Sequence, residues 1–340
     1  MTKLTIAVVG VGHIGTQHAR HANACGTLIA VCDIKQDRAQ EAAQQYNCKY
    51  YLSLDDLLMN EKQLDLVSIC TPNGFHAEHS IKALKAGCNV LCEKPMATSV
   101  RDCERMIHAA EETNKRLFIV KQNRFNPPVK ALKRVIDDGK LGTIIGVQVN
   151  CFWNRNQEYY RSSDWRGKLK MDGGTLFTQY SHFIDLLYWL VGDVEEVRAF
   201  TDNFLHKDVI EFEDTGVVVL RFTNGALGTI NFTINSYGKN MEGSITLFGE
   251  KGTVKVGGQY LNTLEYQSIE GYEITGLEPG NPPNIYGAAR GSMSNHDKVY
   301  ENVIDVLVHG GIIATDLLDG LKTVQIIEKI YKAAAKTRSH

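Results

Sequence analysis

The chain has 340 residues, room for two domains at ~100–200 residues each. Its 43% hydrophobic, 22% charged and 9% aromatic content excludes a mainly disordered chain. A formal charge of -2 offers no footprint for nucleic acid or an anionic membrane surface, and no apolar run approaches the ~20 residues that span a bilayer.

Met1 to Gly10 reads as a buried first strand rather than a secretory signal, because it is short and lacks an Ala-x-Ala cleavage site. In chain order, the apolar runs Leu4–Val9, Leu28–Cys32, Leu66–Cys70, Asn89–Cys92 and Leu117–Val120 alternate with helical patterns near 14–24, 37–46, 54–59, 76–86 and 100–114. Continuous apolar strands separated by helices predict a parallel, doubly wound sheet covered on both faces.

The pattern changes after Asn126-Pro127-Pro128. A helix near 128–138 ends at Asp138-Gly139, and long strands follow at 143–153, 194–204, 214–222, 226–235, 242–249, 252–257 and 261–268. Asn224-Gly225 and Gly249-Glu250-Lys251-Gly252 are hairpin turn signals. One strong helix, Thr175–Leu190, interrupts the strands. The expected architecture is α/β followed by α+β: domain 1–125, then 126–315 with an open antiparallel sheet and a helix packed on one face. Residues 276–294 read as a loop. Closing helices near 296–308 and 315–335 run back toward the first domain, with 316–340 treated as the closing segment. Gly216 to Leu220 is apolar at consecutive positions, so both faces of that strand want cover. The helix takes one face and a second subunit the other, which predicts a homo-oligomer, dimer or tetramer.

Eight cysteines at 25, 32, 48, 70, 88, 92, 103 and 151 are scattered singly, without Cys-x-x-Cys spacing. They read as small buried hydrophobes in a reducing, cytoplasmic setting, and no metal is expected.

Gly10-Val11-Gly12-His13-Ile14-Gly15 follows the first strand and opens a helix, and Asp33 ends the second strand. Gly10 permits a tight turn, Gly12 lets backbone approach a pyrophosphate, and Gly15 lets helix and strand pack closely. The helix N-terminus offers N–H groups and partial positive charge. Asp33 suits adenosine ribose hydroxyls and repels a 2′-phosphate, which favours NAD, although Lys35 and Arg38 lie near. Thr71-Pro72-Asn73-Gly74-Phe75-His76 falls at the carboxyl edge of the sheet, where a dinucleotide lies; its other reading is an ordinary β–α turn.

Glu93-Lys94-Pro95 falls at the same edge, with Lys94 held extended by Pro95. A lysine at the nicotinamide end can hydrogen-bond a substrate hydroxyl and stabilise a developing alkoxide. The other reading is a solvated Lys94 paired with Glu93. Within Thr175–Leu190, Thr178, His182 and Asp185 stand at i, i+4 and i+7 on one predicted face. A histidine with the ordinary pKa of ~6.5 is a good general base there.

These motifs, in this order, resemble the glucose–fructose oxidoreductase / inositol 2-dehydrogenase family over nearly the whole chain. The resemblance implies a Rossmann domain plus an open antiparallel sheet, NAD, and catalysis by Lys94 and His182. It implies cofactor contacts at Gly10, Gly12, His13, Ile14 and Asp33, at Thr71, Asn73 and His76, and at Glu93, Lys94 and Gln122. Five stretches are similar to the branch acting on nucleotide-linked sugar acids such as UDP-N-acetylglucosaminuronate, which feeds bacterial surface polysaccharide: Lys121–Arg124, Phe152-Trp153 with Gln157–Tyr160, Trp165–Gly167, Glu213–Gly216 and Glu242–Thr246. For that branch the implied substrate contacts are Lys94, Asn123, Arg124, Tyr160, Trp165, Arg166, Thr178, Gln179 and His182. Much of the family has an acid four residues before the helix histidine. Thr178 can hydrogen-bond there but cannot ionise, which leaves more of the electrostatics to Lys94. Some relatives reoxidise bound nucleotide with 2-oxoglutarate.

A UDP-linked sugar acid brings about three negative charges and a flat base. Residues 151–172 hold Arg155, Arg161, Arg166, Lys168 and Lys170 among Phe152, Trp153, Tyr159, Tyr160 and Trp165. Guanidinium forks suit phosphate and carboxylate, and aromatic faces suit uracil. The other reading is a charged surface loop. Arg166 and Arg124 are the favoured anion binders. The expected reaction is NAD-dependent oxidation of a secondary alcohol, at C3 of the sugar. The alternatives are a free polyol or aldose substrate, a non-catalytic NAD-binding regulator, and an imine or pyrrole reductase.

Overall fold

The computed structural model of the chain describes residues 3–286, 289–314 and 316–337. They divide into two compact units, one within 1–120 and 296–324, the other within 121–295 and 325–340.

In unit one, six parallel strands lie in the order β3-β2-β1-β4-β5-β6: β1 (Thr5–Val9), β2 (Thr27–Cys32), β3 (Lys49–Tyr51), β4 (Leu66–Ile69), β5 (Asn89–Cys92) and β6 (Leu117–Ile119). They are linked by α1 (His13–Cys25), α2 (Gln36–Tyr46), α3 (Leu54–Asn60), α4 (His76–Lys85) and α5 (Val100–Thr113). Inner strands such as Ile6–Val8 and Val90–Cys92 are wholly buried, as a sheet covered on both faces requires. Local chemistry sets the helix ends. The Ser53 and Ser99 hydroxyls accept the Asp56 and Asp102 N–H groups at 3.1 Å, and Asn47 and Asn114 close α2 and α5 in the left-handed conformation. Strand β3, three residues paired to β2, is absent from the sequence reading because Lys49 and Tyr50 are exposed and leave no apolar run.

Unit two opens with α6 (Pro127–Asp137), followed by a seven-stranded sheet in the order β13-β12-β11-β7-β10-β9-β8. Its strands are β7 (Ile144–Phe152), β8 (Val194–Asp202), β9 (Thr215–Phe222), β10 (Leu227–Thr233), β11 (Glu242–Gly249), β12 (Gly252–Gly257) and β13 (Thr263–Ile269). β7 and β10 run parallel, so the sheet is mixed and mostly antiparallel. The apolar run in β9 alternates after all: Val218 and Leu220 are buried, while Val217 and Val219 are half exposed on the open face.

Three further differences from the sequence reading bear on function. The helix expected over Thr175–Leu190 is interrupted. α7 (Gln157–Arg161) and α8 (Leu169–Asp172) precede α9 (Thr175–Thr178), and α10 (Ser181–Val191) starts afresh. Tyr180 makes the break, its ring packed against Trp153, Phe183 and Phe232 and its hydroxyl donating to the Thr233 carbonyl at 2.7 Å. Within 276–294, expected as loop, lies a hairpin of β14 (Pro283–Tyr286) and β15 (Ala289–Met293). Helix α11 (His296–Ile304) and its π-helical extension Asp305–His309 belong to unit one, and α12 (Leu317–Thr337) changes unit at Val324/Gln325. Its later turns serve unit two: Tyr331 donates to Glu213 Oε1 at 2.7 Å, and Lys329 donates to the Val194 carbonyl. Among the described residues no helix is long and apolar enough to cross a membrane.

Candidate active site

The loop between β1 and α1 is built to a tolerance only glycine meets. Gly10 has φ +87, and a Cβ there would lie 2.7 Å from the Cys70 carbonyl oxygen. A Cβ at Gly15 would lie 1.7 Å from the Gly10 carbonyl oxygen. At Gly12 a Cβ would approach only the Arg38 guanidinium, at 3.8 Å, so the loop's outer side is open. No side chain caps the start of α1, where His13 is exposed and Ile14 half-buried. Asp33 ends β2 with its carboxylate fixed from below: Oδ2 accepts the Val11 N–H and Oδ1 the Lys35 N–H, both at 2.9 Å. Remaining lone pairs suit two ribose hydroxyls. Ile34, 86% exposed beside it, offers an apolar face to an adenine ring and is a residue the sequence reading passed over. These groups fit a dinucleotide: open backbone at a helix N-terminus for the pyrophosphate, a carboxylate for the ribose, an apolar face for the base.

The turns after β4 and β5 are tied together by His76. Its ring is buried, with Nδ1 2.7 Å from the Pro95 carbonyl oxygen and Nε2 2.9 Å from that of Thr71. Burial pushes its pKa down, so the ring is a brace between two turns rather than an outward contact. Asn73 is buried in the same turn. The Lys94–Pro95 peptide is cis, and Lys94 is partly buried.

Glu93, expected to touch the cofactor, turns its carboxylate into unit one. Oε1 lies 2.9 Å from His18 Nε2 and 3.1 Å from His296 Nε2, and Oε2 accepts the Lys94 N–H at 3.0 Å. His18 Nδ1 meets the Tyr300 hydroxyl at 3.0 Å, which meets Ser68 Oγ at 2.7 Å. Burial pushes the Glu93 carboxyl up, but the histidine hydrogen bonds prevail and hold it well below the carboxylate range. Burial pushes His18 down. His18, Glu93 and His296 bring metal-type donor atoms within 4.8 Å of one another, at separations that ordinary hydrogen bonds already explain. No local signal in the sequence links residues as far apart as 18, 93 and 296.

In unit two, the 3-10 turn Gln122–Phe125 is clamped to α10 through Asp185. Arg124 grips the Asp185 carboxylate through Nε at 2.9 Å and a terminal nitrogen at 2.7 Å, and Lys121 Nζ adds a contact at 2.9 Å. Burial pushes this carboxyl up, yet the Arg124 and Lys121 charges outweigh it and hold it at about 2. Arg124, expected to bind the substrate, is thus engaged internally, its guanidinium also stacked 4.9 Å over Trp189. The clamp brings Gln122 Nε2 to 3.4 Å from His182 Nε2. His182 is the second residue of α10 and is buried. Thr178 lies across the helix break. Its hydroxyl donates to the Asp172 carbonyl at 3.0 Å and to the Asp172 carboxylate, so a buried acid stands behind the threonine where the spacing suggested none.

The cations of 151–172 divide sharply. Arg155 is buried and held internally: Nε donates to Gln179 Oε1 at 2.8 Å, and its terminal nitrogens donate to Asn240 Oδ1 and to the Asn154 and Arg290 carbonyls. Gln179 donates in turn to the Tyr159 hydroxyl at 3.1 Å, so it too has a bracing position. Tyr160, expected at the substrate, is core, edge-on to Tyr159 and His206. Arg166 differs. Its guanidinium lies 4.4 Å over the Tyr159 ring and 5.5 Å from that of half-buried Trp165, and its buried Nε has no hydrogen-bond partner among the described residues.

Residues 4–121 match a family described as an oxidoreductase family with an NAD-binding Rossmann fold, and residues 129–255 match the GFO/IDH/MocA C-terminal domain. The structure of the WlbA dehydrogenase from Bordetella pertussis, in complex with NADH and UDP-GlcNAcA, is 37% identical, with 98% of this chain and 97% of that one covered and a TM-score of 0.86. The WlbA dehydrogenase from Chromobacterium violaceum, with the same two ligands, is 37% identical over 99% and 95% of the chains, with a TM-score of 0.89. Inositol 2-dehydrogenase from Salmonella typhimurium is 30% identical over 74% of each chain. Together with the glycine loop and Asp33, these matches make the chain a member of the GFO/IDH/MocA oxidoreductase family, an enzyme that uses NAD.

Proposed function

We propose that the protein oxidises a secondary alcohol, at C3, of a nucleotide-linked sugar acid of the UDP-N-acetylglucosaminuronate class, within bacterial surface polysaccharide synthesis. The observation that carries this reading is Arg166: a guanidinium with an unmet buried donor, lying between two aromatic rings. A phosphate or carboxylate meets both its charge and its donors, where a neutral sugar hydroxyl meets only a donor, and a uracil suits its aromatic setting. The full-length similarity to two dehydrogenases solved with UDP-GlcNAcA supports it.

Lys94 donates a hydrogen bond to the reacting hydroxyl and offsets the negative charge that grows on its oxygen. His182 removes the hydroxyl proton, and Gln122, its amide nitrogen 3.4 Å from His182 Nε2, helps to orient the imidazole. Gly10, Gly12 and the start of α1 hold the pyrophosphate of NAD, and Asp33 holds its ribose. NAD, when bound, supplies the hydride acceptor. Asp185 acts at one remove, by fixing the turn that carries Gln122.

The test is turnover. Purified protein with NAD and UDP-N-acetylglucosaminuronate is expected to raise absorbance at 340 nm (the reduced-nicotinamide band), and Lys94→Met and His182→Asn each to abolish most of the rise while NADH binding persists. UDP alone is expected to protect the protein against heat unfolding. Turnover of myo-inositol with no protection by UDP would favour the second reading, a free-polyol dehydrogenase, which the 30% identity to an inositol dehydrogenase supports. The exposed apolar face of the second sheet, Phe200, Val217, Val219 and Leu227, supports self-association.

A further inference from the structure

We propose that the β14–β15 hairpin completes a subsite that reads hydrogen-bond donors on the substrate, ring hydroxyl and amide N–H groups, through Asn284 and Ser292 together with Asn123 and Gln122. This rests on the sugar-oxidising reading above.

The hairpin pairs Pro283 with Met293 and Ile285 with Arg290. Asn284 and Ser292 are buried, 3% and 5% exposed, while Ile285, next along β14, is exposed. Ser292 Oγ accepts the Asn123 Nδ2–H at 3.4 Å, Asn123 adjoins Gln122, and Gln122 Nε2 stands 3.4 Å from His182. Two neighbouring residues of one turn, Gln122 and Asn123, therefore connect the proposed base to the hairpin, all within unit two.

Four buried atoms, two in that turn and two on the strand paired with that of Ser292, have no hydrogen-bond partner among the described residues: Gln122 Oε1, Asn123 Oδ1, and both Oδ1 and Nδ2 of Asn284. Asn284 is unmet at both ends whichever way its amide is turned. Folded proteins rarely leave such groups unpaired, and a cluster of them in one place is what a polar ligand repays. Their sign identifies the ligand. Three of the four are carbonyl oxygens, which accept and cannot donate. A phosphate or carboxylate has no proton to give them. Sugar hydroxyls and an acylamino N–H do. The anionic part of the substrate is thereby left to Arg166 and the neutral ring to the hairpin.

The experiment uses the full-length NADH complex and compares wild type with Asn284→Leu and, should leucine not be accommodated, Asn284→Ala. Calorimetry gives Kd for UDP-N-acetylglucosaminuronate and, separately, for UDP. The expected result is a loss of tenfold or more for the sugar nucleotide, with UDP and NADH within twofold of wild type. Thermal unfolding of the free protein is the second readout. Asn284→Leu removes two unmet polar atoms, so its Tm is expected to rise by a few degrees, whereas a merely structural asparagine would lose Tm on removal. Sugar-nucleotide affinity unchanged, or lost in equal measure with UDP, overturns the proposal. Wild type that does not bind UDP-N-acetylglucosaminuronate refutes the substrate reading instead, and the same variants are then compared with myo-inositol and D-glucose. A tenfold loss there supports the subsite, and no loss or no binding of either overturns it.

Discussion

Asp185→Asn withdraws the one negative charge on which Lys121 and Arg124 converge. The carboxylate is 2% exposed and accepts three hydrogen bonds from two cations. Its pKa of about 2, against an ordinary ~3.9, converts to about 3 kcal/mol in favour of the folded state. That agrees with the ~3–5 kcal/mol typical of removing one partner from a buried ion pair. The sign follows from the depressed value: the stabilisation is present above pH ~4 and is lost as pH falls toward 2. At pH 7 the variant is therefore expected to melt roughly 5–10 °C below wild type, with the gap narrowing as both are acidified. Adding Lys121→Met to Asp185→Asn removes one of the two stranded cations and is expected to restore part of the loss. Because the clamp holds Gln122 beside His182, kcat is expected to fall more than KM rises. A variant melting within a degree of wild type at pH 7 refutes the reasoning, because it would mean the two cations are satisfied without Asp185.

Asp33→Ala is expected to weaken NAD tenfold or more and NADP much less, read by fluorescence titration of the reduced forms; equal losses would deny the carboxylate its ribose contact. Burial pushes the Glu213 carboxyl up to about 7 beneath Tyr331, so its stabilising, protonated state is full below pH ~4.5 and lost as pH rises through about 7. Glu213→Gln is expected to remove this part, on the order of 3 kcal/mol, of the wild type's decline in Tm between pH 5 and 8; parallel melting curves across that range would count against it. Val219→Lys places a charge on the open face of the second sheet and is expected to lower the oligomeric state measured by light scattering without unfolding the protein. An unchanged mass would move the self-association surface elsewhere.

Much of this was legible in the residues because it is local. The alternation of apolar runs and helical periods marks five of the six parallel strands, and the glycine loop with Asp33 lies within a single strand–helix–strand unit. What escaped is set by distant partners. Thr175–Leu190 has uninterrupted helical periodicity, and only the packing of Tyr180 against Trp153, Phe183 and Phe232 breaks it, an override of propensity by tertiary contact. Arg124 and Arg166 look alike in sequence. Asp185 claims one, and no described residue accepts from the Nε of the other. Asn284 sits among Gly, Pro and Asn residues that read as loop, and its burial comes from a hairpin whose register the composition does not announce. Likewise Glu93 looks outward by position, and only His18 and His296 show that its carboxylate points in.

That last arrangement bears on protein engineering. A nucleotide-binding module excised at residue 120 would keep the glycine loop, Asp33 and the Glu93-Lys94-Pro95 turn but discard His296 and Tyr300, leaving Glu93 deprived of one imidazole and His18 of its phenol in a buried interior. A grafted version needs both stretches of chain, joined for instance by a designed connector from Val120 to His296. Swaps between family members that respect only the first stretch are predisposed to insolubility.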